Sequence, residues 1–200
     1  MAKKIVFYGD SNTYGFDPRD FFGGRYDRGI IWTDRIAENP DFEVCPCGEN
    51  GREIPHTASR YDELDRILKR NAPFDLFCVM LGTNDLFMMY NADGNKVCER
   101  MERMLEFVLS HETVRGGAKV LLVSPPEVIM GENEYELNFS RISSELGGCY
   151  RKLAEKTGVF FADAAEWNID MAHDGVHFSE KGHAAFAVCM ERLLREIFAE

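Results

Sequence analysis

Short apolar runs alternate along this chain with longer segments in which apolar residues recur every three or four positions. Residues 4–8, 74–81, 119–124 and 159–162 are rich in β-branched or aromatic side chains and are bounded by turn formers, the pattern of strands buried on both faces. Residues 42–47 form a weaker fifth run. Helical spacing fills 31–38, 60–70, 97–111, 137–156 and 180–198; in 60–70, Tyr61, Leu64, Ile67 and Leu68 share one stripe and leave the charged residues to solvent. Strands alternating with amphipathic helices predict parallel strands joined by right-handed crossovers. The expected fold class is α/β, a three-layer α/β/α sandwich on a five-stranded parallel sheet, flavodoxin-like.

In such a sheet, the loops leaving the carboxyl ends of the strands form the ligand crevice. No internal repeat, low-complexity segment or Pro/Gly-rich linker divides the chain, so residues 1–200 read as one domain. Gly116-Gly117 reads as a helix-to-strand turn, and Gly147-Gly148 as a break or tight contact within a helical region.

Composition narrows the class further. The 200 residues carry a net charge of -11 with both signs interspersed, which argues against nucleic-acid binding and against docking on anionic lipid. The apolar stretch after Met1-Ala2-Lys3-Lys4 is too short for a signal-peptide core, and no run approaches the roughly 18 apolar residues of a membrane span. A cytoplasmic protein with reduced thiols is therefore expected, its six cysteines scattered and Cys45-Pro46-Cys47 lacking the second pair of a metal site.

Three loops hold candidate chemistry. In the turn after the first run, Gly9 allows backbone geometry that a side chain would obstruct, Asp10 can accept backbone N–H bonds, and Ser11 stands at the strand-to-helix junction. That serine suits a nucleophile, a phosphate cradle or a plain helix cap. After the third run, Asn84 in Gly82-Thr83-Asn84-Asp85 suits a neutral oxyanion donor or an Asx turn. Near the C-terminus, Asp174 and His177 precede the last helix and supply the base and carboxylate that a nucleophilic serine needs. His173 is a competing base, His183 is expected to be solvated or capping, and no metal-site signature accompanies these histidines.

The four stretches GDSNTYG (9–15), GENG (48–51), GTND (82–85) and DGVH (174–177) resemble, in order, the sequence blocks of the GDSL/SGNH hydrolase family, over nearly the whole chain. The resemblance implies Ser11 as nucleophile and His177 as base held by Asp174. It implies an oxyanion hole from the N–H groups of Ser11 and Gly51 and the Asn84 side chain, with Gly48 the rival glycine. The implied activity is hydrolysis of short-chain carboxylic esters through an acyl-enzyme, with acetylated carbohydrates and acyl transfer open, no metal and no organic cofactor.

Asn12 departs from the Leu of the family's name, and with WTDRI and LLVSPP it resembles the intracellular aryl-esterase and acyltransferase-like branch, where homo-oligomers are common. The competing readings are a flavodoxin-like FMN or phosphate binder, which leaves Asn84, Asp174 and His177 without a role, and a non-catalytic binding module. Substrate contacts are expected from Asp10, from Phe21, Phe22 and Tyr26 of the 16–29 loop with Arg19, Arg25 and Arg28 beside them, and from Met88. The same aromatics also suit packing of that loop or a subunit contact.

Overall fold

The computed structural model describes residues 1–20, 22–131 and 133–199. Five strands, β1 (Lys3–Gly9), β2 (Phe42–Gly48), β3 (Leu76–Met80), β4 (Lys119–Ser124) and β5 (Phe160–Asp163), form one sheet in the order β2-β1-β3-β4-β5. All pairings are parallel, with Ile5 opposite both Val44 and Leu76 and Leu121 opposite Phe160. Each apolar run therefore became a strand, and the weak run at 42–47 forms an edge strand.

Helices α1 (Ser11–Tyr14), α2 (Trp32–Ala37), α3 (Ala58–Asn71), α4 (Thr83–Met88), α5 (Gly94–Ser110), α6 (Glu112–Arg115), α7 (Glu134–Thr157) and α8 (Glu180–Ala199) connect them. The four-residue α1 and six-residue α4 are too short to produce a periodic apolar stripe, which is why neither was legible as a helix.

Strand side chains alternate between two cores. Val6, Tyr8, Phe77, Val79, Val120 and Leu122 face one layer with Leu64, Met101 and Leu146. Ile5, Phe7, Leu76, Cys78, Leu121 and Val123 face the other with Trp32, Phe186 and Met190. Because both faces are covered, the strands carry no polar positions in their centres. The Gly147 expectation resolves as a tight contact: α7 runs unbroken past it, and a Cβ there would lie 2.0 Å from Asp163 Oδ2.

Two expectations are corrected here. Cys98 on α5 and Cys149 on α7 are joined by a disulfide, where reduced thiols were expected, because the packing of α5 on α7 brings their Cα atoms to 6.3 Å. His183 is not solvated: helix α8 turns it fully into the interior. There it accepts a bond from the Trp32 N–H at 3.4 Å, and burial together with the charges of Arg35 and His177 holds its imidazole down at about 4. Among the described residues, no helix is long and apolar enough to cross a membrane.

Candidate active site

The strand order reverses direction between β1 and β3, and in this topology a crevice opens at the carboxyl ends of those two strands. Ser11 follows β1 and Asn84 follows β3, so both stand at the switch point. Asp10 caps α1 by accepting the Asn12 N–H at 3.0 Å, and α1 begins at Ser11 itself. The serine is 8% exposed.

The chain leaves β5 at the far edge of the sheet and returns across the carboxyl edge before entering α8. That return segment carries Asp174 and His177 to Ser11. His177 Nε2 lies 3.0 Å from Ser11 Oγ, and His177 Nδ1 lies 2.6 Å from Asp174 Oδ2. The other carboxylate oxygen, Oδ1, accepts the N–H groups of Val176 and His177, each at 3.0 Å. Burial pushes the Asp174 carboxyl up, but its bonds from the His177 ring and the two N–H groups outweigh this and hold it below the usual carboxylate range. A carboxylate that stays ionised there fixes the imidazole with a proton on Nδ1 and leaves Nε2 free to accept one from serine. His173, the competing base, is exposed and outside this relay.

The loop after β2 packs beside the end of β1, where the Glu49 N–H donates to the Gly9 carbonyl at 3.2 Å. Gly48 ends β2 against the backbone of α1, where a Cβ would fall 2.2 Å from the Tyr14 nitrogen. Gly51 is exposed, with φ +72, a conformation that favours glycine. Among the described residues, neither the Ser11 nor the Gly51 N–H donates to another protein group. Asn84 Nδ2 donates to the Arg52 carbonyl at 3.1 Å, which orients the amide and leaves its second N–H for a ligand.

Arg52 was not singled out in the sequence, yet it anchors this loop. Its guanidinium is buried 4.3 Å from the Tyr8 ring centroid and donates to the carbonyls of Gly9 and Cys47 and to Glu49 and Glu63. Asp85 was also missed as a support. Fully buried, it accepts the Ile54 N–H at 2.9 Å and Arg100 Nη1 at 2.7 Å, tying α4 to the segment after the β2 loop. Neither role was legible, since the bonds that tie Arg52 to Gly9 and Asp85 to Ile54 span 43 and 31 positions.

Glu53, His56 and Asp85 bring ligand-type atoms within 4.8 Å of one another. Arg100 already bonds both carboxylates, Glu53 at 2.9 Å, so a guanidinium holds the position a cation would need.

The residues expected to touch substrate divide. Tyr26 is corrected to a packing residue: 5% exposed, it donates its hydroxyl to the Phe178 carbonyl at 3.2 Å and meets the His183 ring edge-on. Asp10, 3% exposed and engaged as a cap, is likewise interior and not a surface contact. Phe22 and Met88 are exposed, and Phe21 lies outside the described residues. Phe16, at the start of the same loop, reaches the site with its ring centroid 4.5 Å from that of His177.

Comparison with known proteins places this geometry in context. Residues 7–185 match the model of the GDSL-like lipase/acylhydrolase family. A search of curated protein sequences finds no match. Among solved structures, a carbohydrate acetylesterase family member from Sinorhizobium meliloti superposes with a TM-score of 0.85 at 26% identity, over 99% of this chain and 100% of that one. The native aryl esterase of M. smegmatis superposes with a TM-score of 0.79 at 28% identity, over 98% of this chain and 99% of that one.

Proposed function

The chain belongs to the GDSL-like lipase/acylhydrolase family and is an ester-hydrolysing enzyme, and on that premise we propose that it cleaves short-chain carboxylic esters through a Ser11 acyl-enzyme. The observation that carries the reading is the continuous relay from Ser11 Oγ through His177 to Asp174, at 3.0 and 2.6 Å. An FMN or phosphate site in the same crevice would leave that relay without work.

Each step follows from where charge develops. Ser11 at its ordinary acidity is a weak nucleophile, so His177 Nε2 takes its proton as Oγ attacks the ester carbonyl carbon. The resulting imidazolium is stabilised by the Asp174 carboxylate. The oxyanion of the tetrahedral intermediate is met by the N–H groups of Ser11 and Gly51 and the unspent N–H of Asn84, three donors held by the strand ends and by Arg52. As the carbonyl reforms, His177 gives the proton to the departing alkoxide oxygen. Water then repeats the attack on the acyl-enzyme with His177 as base and releases the acid.

The names of the structural neighbours, a carbohydrate acetylesterase family member and an aryl esterase, support small acyl groups on sugar or aryl alcohols. The deciding assay is a panel of p-nitrophenyl esters of increasing chain length plus acetylated sugars, run on wild type and Ser11→Ala. Activity highest on acetate and lost in Ser11→Ala is the expected result; equal rates for the two proteins on every substrate sink the reading. Asn84→Ala is expected to lower kcat about 100-fold or more. Adding a primary alcohol to the same assay measures acyl transfer against hydrolysis.

A further inference from the structure

Nucleophile and base lie 166 residues apart, and only tertiary contacts bring their loops together. Besides the Ser11–His177 contact itself, α1 is tied to the His177 segment by the residue that departs from the family's motif. Asn12 Oδ1 accepts the Phe178 N–H at 2.9 Å, and Asn12 Nδ2 donates to the Val176 carbonyl at 3.1 Å. One carboxamide thus brackets His177 by its two neighbours, bonding to them as a paired strand would. An N–H on one side and a C=O on the other admit a single orientation of the amide.

Asn12 is itself immobilised. It is 6% exposed, its N–H is held by Asp10, and its carbonyl accepts the Trp32 indole N–H at 2.9 Å. Other bonds brace the return segment: the Ile129 N–H to the Gly175 carbonyl at 2.8 Å and the Tyr26 hydroxyl to the Phe178 carbonyl. Neither starts from the helix that carries Ser11. A leucine at this position fills similar space with neither a donor nor an acceptor.

We propose that Asn12 is a positioning residue, whose side-chain amide clasps the Val176 and Phe178 peptides and so sets His177 Nε2 against Ser11 Oγ. This rests on the serine-esterase reading above. Proton transfer demands hydrogen-bond reach between these atoms, and displacements of about 1 Å cost up to about 100-fold in rate.

The test compares wild type, Asn12→Leu, Asn12→Asp and Ser11→Ala on p-nitrophenyl acetate, each below its own unfolding midpoint. Asn12→Leu removes both bonds. Asn12→Asp is nearly isosteric and keeps the acceptor for Phe178, but it sets a carboxylate oxygen against the Val176 carbonyl. Both are expected to lower kcat about 10- to 100-fold while KM changes by less than about two-fold, the signature of a lost transition-state arrangement. Proton NMR supplies a readout that loss of packing alone would not move: the downfield resonance of the His177 Nδ1–H bonded to Asp174 should broaden or shift in both variants.

The proposal is overturned if either folded variant keeps kcat within about two-fold of wild type while Ser11→Ala is inactive. It is also overturned if activity falls only in step with the folded fraction and the downfield proton is unchanged. Should Ser11→Ala match wild type, the esterase reading itself fails, an outcome separate from either of these.

Discussion

Two aspartates sit beside the candidate site, one on each strand end at the switch point, and the fold treats them differently. Asp10 precedes Ser11 after β1; Asp85 follows Asn84 after β3. Both are almost wholly buried, and burial pushes both carboxyl groups up. Asp85 has a guanidinium at 2.7 Å, so its ionised form has a partner. Asp10 has one backbone N–H from Asn12 and, among the described residues, no cation at ion-pair distance. Burial lifts it to about 6, against the weaker pull of that N–H and of the His177 and Arg52 charges. The contrast teaches that the carboxyl at the β3 end is tied by an ion pair, whereas the β1 end keeps a buried carboxyl without an ion-pair partner beside Ser11. A buried charge without an ion-pair partner is a local cost that the rest of the fold must offset.

The strongest way to break the contrast is Asp85→Ala. It leaves Arg100 facing Glu53 alone and the Ile54 N–H without an acceptor, and is expected to destabilise the protein by about 3 kcal/mol, measured by urea unfolding. A loss below about 1 kcal/mol would show that the pair contributes little to rigidity at the β3 end.

Asp10→Asn should act in the opposite direction. Asparagine still caps α1 through its amide oxygen and carries no charge. The folded Asp10 binds its proton near pH 6, whereas an ordinary aspartate does so at 3.8. The stability associated with its protonated form is therefore fully present below 3.8 and lost as pH rises through 6. The variant, neutral throughout, should match wild type at pH 4 and exceed it by up to about 3 kcal/mol at pH 8. A pH-independent difference between the two proteins would contradict the placement of this charge.

The smallest effect is expected from removing both charges at the β3 end together. In Asp85→Asn/Arg100→Met the Ile54 N–H keeps an acceptor, and Glu53, which loses its guanidinium, still has 24% of its side chain in solvent to hydrate its charge, so stability should stay within about 1 kcal/mol of wild type. The difference between this double variant and Asp85→Ala sharpens how much of the loss comes from leaving a partner stranded.

Much of this molecule could be read before its structure. Every strand was legible because a sheet covered on both faces demands continuous apolar runs, as in residues 119–124, and the long helices were legible from their stripes. Ser11, Asp174 and His177 stood out as candidates on two separate loops, and the fold brings their side chains within hydrogen-bond reach; their roles, and that of Asn84, came from the family resemblance, since each type alone also suits a cap or a turn. Roles set by neighbours were not legible. Tyr26 suited both a substrate platform and packing of its loop, and packing was decided by the Phe178 carbonyl that takes its hydroxyl, 152 positions away. His183 was expected to be solvated or capping and is buried, because α8 presents it to Phe178 and to the Trp32 N–H at the start of α2. Cys98 and Cys149 looked unrelated until α5 and α7 packed together.

By itself the sequence determined the α/β alternation, the family to which its motifs belong and the functional groups available at the carboxyl edge of the sheet. These follow from local periodicity and from residue chemistry, which need no knowledge of distant neighbours. Tertiary structure alone decided which buried aspartate received a cation, which cysteines met and how Asn12 bridges α1 to the histidine segment. Those outcomes depend on contacts between segments from 15 to 166 positions apart, formed only when the helices pack and the chain from β5 returns over the end of β1.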